Sequence, residues 1–183
     1  MNGVASSSTA QPRKIALIGF MGAGKTTVAE ILAARLDCEF CDLDQRLEQH
    51  ENQLIHQIFV DLGEPAFRRI EAVALREILR FSNAQIIALG GGAWIVEENR
   101  RVLRDNDFLV IWLDAPFEVC WKRISEGNSR PLAQSETAAR QLFDQRRNVY
   151  QTADLRIIAA EEQTPAAIAE SIVAELAELQ PNY

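Results

Sequence analysis

One stretch of the sequence combines the residue types and the spacing that phosphate chemistry needs. Residues 19–26, Gly-Phe-Met-Gly-Ala-Gly-Lys-Thr, match the full pattern G-x-x-x-x-G-K-[ST] of a phosphate-binding loop. Backbone N–H groups of such a loop converge on phosphate oxygens, and the N-terminus of the following helix adds partial positive charge. Lys25 would reach the outer phosphates, and the Thr26 hydroxyl would coordinate Mg²⁺. The loop therefore predicts that the chain binds a nucleotide.

Two carboxylates follow the second strand-like segment. Asp42 and Asp44 flank Leu43, and alternation along an extended strand would place both carboxylates on one face. One of them can hold Mg²⁺, because this hard cation prefers oxygen ligands and keeps several waters. The other can orient or deprotonate an attacking hydroxyl group. Asp is also common at helix N-caps, and the neighbouring phosphate loop is what favours the catalytic interpretation.

Two further features are typical of a substrate site. The triple glycine Gly90-Gly91-Gly92 predicts a contact that side chains would forbid, here backbone against substrate. A loose turn is the alternative. The segment 126–130, Glu-Gly-Asn-Ser-Arg, combines turn residues with a fixed cation, Arg130. A lid that supplies positive charge to a transition state needs this combination.

The elements around these motifs alternate between strand and helix patterns. This alternation predicts an α/β fold, a three-layer αβα sandwich with a five-stranded parallel sheet and right-handed crossovers. Ligands bind beyond the carboxyl ends of the strands in such sheets, where the candidate motifs fall. The strand patterns cover residues 14–19, 39–43, 85–90, 108–113 and 155–159, and the helical patterns cover 25–36, 45–62, 64–81, 97–105, 116–124, 137–150 and 165–179.

Composition narrows the function classes. The length of 183 residues predicts one globular domain (13–183) after a Ser- and Ala-rich disordered tail (1–12), and the hydrophobic content of 48% is ordinary for such a domain. The net charge is −7. The acidic balance argues against nucleic acid as the main partner. No apolar run approaches the ~18 residues that a membrane span needs, and no secretion signal is evident. We therefore expect a cytoplasmic monomer that acts on small molecules.

Cys38 and Cys41 form a C-x-x-C pair, which in other settings is a redox pair or half of a zinc site. No second pair and no nearby His supplies the remaining ligands, and positions i and i+3 of a strand point to opposite faces. Buried cysteines in a reduced protein are therefore the favoured interpretation.

Taken together, the motifs resemble those of the shikimate kinase family. The similarity runs in order from about Lys14 to Pro165. The phosphate loop alone identifies only a large superfamily, whereas the joint spacing of D-x-D, G-E-x-x-F-R-R-x-E, G-G-G and R-P-L is far more specific. The resemblance is carried by residues 19–27 (GFMGAGKTT), 42–48 (DLDQRLE), 58–71 (IFVDLGEPAFRRIE), 89–93 (LGGGA), 128–132 (NSRPL) and 146–150 (RRNVY).

The resemblance implies a P-loop kinase fold with a mobile lid at about 125–136, and transfer of phosphate from ATP, with Mg²⁺, to the 3-hydroxyl of shikimate. That reaction is a step of aromatic amino-acid biosynthesis. On the nucleotide side, the resemblance implies that Lys25 and Arg130 contact the phosphates and that Thr26 and Asp42 organise Mg²⁺. It also implies that Arg123 and Pro165 flank the adenine. The residues implied to cradle ATP are Gly22, Ala23, Gly24, Lys25, Thr26 and Thr27.

On the acceptor side, the resemblance implies that Asp44 meets the shikimate hydroxyls and positions or deprotonates the 3-hydroxyl. Arg68 and Arg146 match the pair that binds the carboxylate, for which a guanidinium fork is well suited. Glu71, one turn after Arg68, would orient that arginine. The remaining implied contacts are backbone at Gly91 and Gly92 and ring walls at Phe59 and Phe67.

Two other functions are kept as alternatives. One is a small-metabolite kinase of the same fold that acts on a different hydroxylated acid; Arg68 and Arg146 favour an acceptor with a carboxylate within this class. The other is a relative without catalytic activity, which would be expected to lack Lys25, the two aspartates or the lid arginine, and the sequence has them all.

Overall fold

Five parallel strands form the central sheet of the computed structural model, which describes residues 13–126 and 135–179. Their order across the sheet is β2-β3-β1-β4-β5. The predicted tail (1–12) lies outside the described residues. So does the central part of the predicted lid, residues 127–134, which includes Arg130. The strands are β1 (Ile15–Ile18), β2 (Phe40–Asp42), β3 (Ile86–Ala88), β4 (Leu109–Asp114) and β5 (Leu155–Ile158).

Helices flank this sheet and connect its strands, and the predicted α/β class with a five-stranded parallel sheet is confirmed. Helix α1 packs against α7, and α5 packs against α6. Within 13–126 and 135–179, none of the helices has both the length and the apolar character needed to cross a membrane. The helices are α1 (Lys25–Leu36), α2 (Leu43–Glu51), α3 (Ile55–Phe81), α4 (Glu97–Asp105), α5 (Phe117–Glu126), α6 (Glu136–Tyr150) and α7 (Pro165–Glu178), with a short 3-10 helix at Ala93–Ile95.

The central position of β1 follows from its sequence. All four of its residues, Ile15–Ile18, are apolar and almost completely buried, as expected for a strand covered on both faces by helices. Its neighbours on either side are β3 and β4. The loop that leaves β1 therefore opens at the centre of the sheet's carboxyl edge, between the loops that follow those two neighbours.

The predicted helix 45–62 is wrong in its boundaries. Helix α2 ends at Glu51, because Asn52 adopts the left-handed conformation (φ 50°) and caps the helix by donating its N–H to the Glu48 carbonyl. Helix α3 then begins at Ile55 and continues to Phe81. The break expected at Gly63 is a kink inside α3, where Gly63 has φ 75° and ψ 168°.

The predicted placement of Asp44 on a strand is also wrong. Strand β2 ends at Asp42, and Asp44 lies in the first turn of α2. The reason is that the Asp42 carboxylate accepts a hydrogen bond from the Gln45 N–H at 3.0 Å and so starts the helix two residues earlier than expected. The two aspartates are separated by the strand-to-helix turn and do not alternate along one strand face.

Candidate active site

The phosphate loop leaves β1 and enters α1 with two glycines in the left-handed region. Gly22 has φ 80° and Gly24, the N-cap of α1, has φ 93°, conformations that are costly for other residues. A Cβ atom on Gly22 would also stand 2.6 Å from the Cys120 carbonyl oxygen of α5. Glycine is therefore required at Gly22 both for the turn and for the packing of the loop against α5.

Two cations border the loop. The Lys25 side chain is buried, and its Nζ donates to the carbonyl oxygens of Gly19 at 2.9 Å and Phe20 at 3.0 Å. Arg123 Nη1 reaches across from α5 and donates to the Gly22 carbonyl at 2.9 Å. The other residue predicted beside the adenine, Pro165, is the first residue of α7. Arg123 thus contacts the phosphate loop directly, which is the position that an arginine needs if it is to bind the nucleotide.

The residues predicted to organise Mg²⁺ are in contact with each other. Thr26 Oγ1 donates to Asp42 Oδ2 at 2.5 Å, while the other carboxylate oxygen of Asp42 caps α2. Asp42 is 9% exposed, so its carboxylate is fixed at the rim of the loop. A hydroxyl and a carboxylate oxygen at this point are hard donors of the kind Mg²⁺ prefers, and the pair fits the ion.

The seven residues predicted on the acceptor side all line one cavity beside the phosphate loop. The cavity lies at the carboxyl end of the sheet, and its volume is about 50 Å³. The aromatic wall consists of Phe59 and Phe67, whose ring centroids are 4.3 Å apart. Four further residues complete the lining: Met21, Ile55, Glu71 and Gly90. The predicted residues in the lining are Asp44, Phe59, Phe67, Arg68, Gly91, Gly92 and Arg146.

The charge of this cavity depends on a buried ion pair. Arg68 Nη1 donates to Glu71 Oε2 at 2.8 Å and to Oε1 at 3.0 Å, and Glu71 is 1% exposed. Burial raises the pKa of Glu71 to about 7, although the neighbouring Arg68 opposes this effect. The orienting contact predicted between Glu71 and Arg68 is present in the structure.

Arg146 is a buried guanidinium that is held by neutral groups. Its Nη1 donates to the Gly91 carbonyl at 3.1 Å, and the Tyr150 hydroxyl donates to the same oxygen. Burial lowers the pKa of Arg146, and the nearby positive charge of Arg68 acts in the same direction. Within residues 13–126 and 135–179, no carboxylate forms an ion pair with Arg146. The Arg146 guanidinium is therefore buried without an ion-paired carboxylate among the described residues, and the negative charge of Glu64 acts on it only from a greater distance.

The triple glycine makes room for these charged side chains. A Cβ atom on Gly92 would overlap the Arg68 guanidinium, and one on Gly90 would overlap the Asp44 carboxylate. At Gly91 a Cβ atom would come within 3.1 Å of the Met21 nitrogen in the phosphate loop. The absence of side chains at these three positions thus allows the two arginines, the aspartate and the phosphate loop to approach one strip of backbone.

The five-stranded parallel sheet flanked by helices has the P-loop kinase fold. The sequence model of the shikimate kinase family matches residues 21–177. A shikimate kinase from Microcystis aeruginosa is 41% identical over 160 residues, 86% of this chain and 83% of that protein. One from Nostoc punctiforme is 38% identical over 96% of this chain and 95% of its own length.

A solved structure of a shikimate kinase is also similar to this chain. The shikimate kinase from Acinetobacter baumannii in complex with shikimate superposes with a TM-score of 0.83 at 34% identity, covering 92% of this chain and 94% of the other. On these matches, this chain belongs to the shikimate kinase family.

Two residues of the cavity region were not assigned a role from the sequence. Tyr150 shares the Gly91 carbonyl with Arg146, which precedes it by one helical turn on α6. Glu64 lies one turn before Arg68 on α3, and its carboxylate accepts two hydrogen bonds from the Arg68 guanidinium. The spacing i, i+4 was the available signal in both cases, since residues four apart on a helix are neighbours.

The raised pKa of Glu71 leads to a stability prediction. The carboxyl group binds its proton more tightly in the folded protein, with a pKa of about 7, than in the unfolded chain, where 4.5 is ordinary. The stability that this proton contributes is complete below pH 4.5 and is lost as pH rises through about 7. Urea unfolding gives the free energy of unfolding of the wild type and of Glu71→Gln. The difference, wild type minus variant, should increase as the pH falls from about 8 to 5.

The matched control is Glu98→Gln, which removes an exposed carboxylate paired with Arg76 at 2.6 Å. Its stability difference from the wild type should be nearly flat over this pH range. A flat difference for Glu71→Gln as well would contradict the raised pKa.

Proposed function

We propose that this chain transfers the γ-phosphoryl group of ATP to the 3-hydroxyl of shikimate, giving shikimate 3-phosphate for aromatic amino-acid biosynthesis. The family match over residues 21–177 supports this reaction. The observation that carries the choice of acceptor is the pair of arginines in the cavity, of which Arg146 is buried without a carboxylate partner among the described residues. A carboxylate on the acceptor would supply the missing negative charge.

The nucleotide side follows from the phosphate loop. ATP phosphates bind to the backbone N–H groups of residues 22–27 and to the helix N-terminus, and Lys25 contacts the transferring group. Thr26 and Asp42 would hold Mg²⁺, which supplies charge neutralisation at the phosphates. Arg123 and Pro165 lie on either side of the adenine. Arg130, in the lid, adds positive charge to the phosphates.

The acceptor side orients one hydroxyl toward the phosphate loop. Arg68 and Arg146 fix the carboxylate, and Phe59 and Phe67 wall the ring. Asp44 then positions the 3-hydroxyl or takes its proton. The transition state of phosphoryl transfer is loose, so in-line positioning and charge neutralisation provide most of the catalysis. Closure of the lid over both substrates would exclude water and suppress hydrolysis of ATP.

A coupled assay for ADP tests this function. With ATP and Mg²⁺, ADP release should depend on added shikimate, and ³¹P NMR of the product should show a phosphomonoester on the 3-hydroxyl. ADP release that does not change when shikimate is added would contradict the proposal. ADP release driven equally by quinate, a related acid with an additional hydroxyl, would instead indicate a kinase for a different acid.

The variant Arg146→Gln separates the two halves of the site. It removes a charge-assisted contact worth roughly 1.5–3 kcal/mol, so the KM for shikimate should rise about 10- to 100-fold. The KM for ATP should change little, because Arg146 lines the acceptor cavity.

Its control is Arg147→Gln, the neighbouring arginine on α6. Arg147 is 42% exposed and pairs with Asp114 at 3.0 Å, so the same change in charge is made outside the cavity. Its KM for shikimate should stay near the wild-type value. Equal increases in KM for shikimate and ATP in Arg146→Gln would contradict this division of the site.

A further inference from the structure

The Arg68 guanidinium is held by two carboxylates of its own helix. Glu71 accepts hydrogen bonds from Nη1, as described above. Glu64 Oε1 accepts from Nη2 at 3.0 Å and from Nε at 3.3 Å. All three nitrogens of Arg68 are therefore engaged, and the Nε/Nη2 edge, which suits a bidentate carboxylate, carries Glu64. An acceptor carboxylate that binds this edge must displace Glu64.

The burial of the two carboxylates decides which of them can leave. Glu71 is 1% exposed, and its Oε1 lies 3.1 Å from where a Cβ atom of Gly90 would stand, so it is enclosed by the cavity wall. The Glu64 side chain is 48% exposed. It directly follows the kink at Gly63. An exposed i, i+4 ion pair is weak because solvent screens it, and Glu64 can turn into water without leaving a buried charge unpaired.

Glu64 also stands at the approach to the arginine pair. A second cavity, of about 490 Å³, shares Arg68, Gly92 and Arg146 with the inner cavity. Its volume lies in the range of small-ligand pockets, and it continues the lining of the inner cavity through these three shared residues. Glu64 lines this outer cavity and not the inner one. Its carboxylate thus occupies the arginine edge on the side from which an acid can reach it. The remaining residues of the outer lining are Pro65, Ile95, Val96, Leu142 and Gln145.

We infer that Glu64 is an internal competitor for Arg68 and lowers the affinity of the acceptor site. The inference rests on the proposed function, since it requires that the acceptor's carboxylate bind Arg68. In the free protein the Glu64 carboxylate holds the Nε/Nη2 edge. When the acceptor binds, its carboxylate takes those hydrogen bonds and Glu64 turns to solvent. No covalent bond or proton changes place.

This exchange has a consequence for specificity. The acceptor replaces one carboxylate by another, so Arg68 always has a counterion on that edge. An uncharged acceptor cannot replace Glu64 in this way, because it would leave the guanidinium with weaker partners. Recognition of the charge therefore comes from Arg68, and Glu64 lowers the affinity for shikimate only by the free energy of the exposed ion pair that must be broken.

The test compares Glu64→Gln with a matched variant, Asp61→Asn. Asp61 lies on the same helix, is exposed, and accepts a hydrogen bond from Gln53 at 2.6 Å. It forms no ion pair with an arginine of residues 13–126 or 135–179. Both variants lose one negative charge. Isothermal titration calorimetry gives the Kd for shikimate, and steady-state assays give kcat and both KM values.

For Glu64→Gln, the Kd and the KM for shikimate should fall about two- to fivefold, the amount that loss of an exposed competing ion pair permits. The kcat and the KM for ATP should stay unchanged, and Asp61→Asn should match the wild type throughout. Because Glu64 is exposed, both variants should fold, which circular dichroism verifies.

An unchanged or higher Kd for shikimate in Glu64→Gln, with a wild type that phosphorylates shikimate normally, would overturn the inference and leave the proposed function standing. An equal fall in Kd for Asp61→Asn would also overturn it, because general charge would then explain the effect. A wild type that neither binds nor phosphorylates shikimate would overturn the proposed function and this inference together.

Discussion

Two guanidinium groups share one cavity at the carboxyl edge of the sheet, and the rest of the site depends on how their charge is compensated. Burial of like charges is costly unless each has a partner. Glu71 compensates Arg68 inside the protein, and its own burial raises its pKa to about 7. Arg146 instead donates to the neutral carbonyl oxygen of Gly91, which also accepts a hydrogen bond from the Tyr150 hydroxyl. The cavity lining thus combines two guanidinium groups with the carboxyl groups of Asp44 and Glu71, and Arg146 forms no ion pair with a carboxylate of the described residues.

The strip Gly90–Gly92 brings this charge next to the phosphate loop. Gly91 faces the Met21 nitrogen so closely that a Cβ atom would come within 3.1 Å of it. Side chains at these positions would push the arginines and Asp44 away from the loop. Because phosphoryl transfer requires the attacking oxygen and the phosphate to be aligned at short distance, the glycines preserve the separation on which the proposed reaction depends.

Much of the fold could be predicted from the sequence because it depends on local patterns. The glycine and lysine spacing of residues 19–26 predicted the loop. The apolar runs of β1 and of residues 109–113 in β4 predicted the buried parallel sheet. The residue patterns indicated Asp44 and the triple glycine, the family resemblance added the arginine pair and the two phenylalanines, and the structure places all seven acceptor residues in one cavity. Their roles in binding and catalysis are still predictions.

The errors arise where a side chain competes with the pattern. Asp42 was interpreted as part of an alternating strand, but its carboxylate caps α2 and moves Asp44 into a helix. Asn52 ended a helix that periodicity alone would extend. The pairing of Glu64 with Arg68 could be suggested by spacing, but its meaning depends on the kink at Gly63 and on the outer cavity, which only the folded chain defines.

The central claim is that two arginines recognise the acceptor by its carboxylate, and the most direct measurement compares shikimate with its methyl ester. The ester keeps the ring and the 3-hydroxyl and removes only the negative charge. Recognition of the carboxylate predicts that kcat/KM for the ester is lower by about 100-fold or more, the equivalent of one or two charge-assisted contacts. Equal kcat/KM values for the acid and the ester would contradict it.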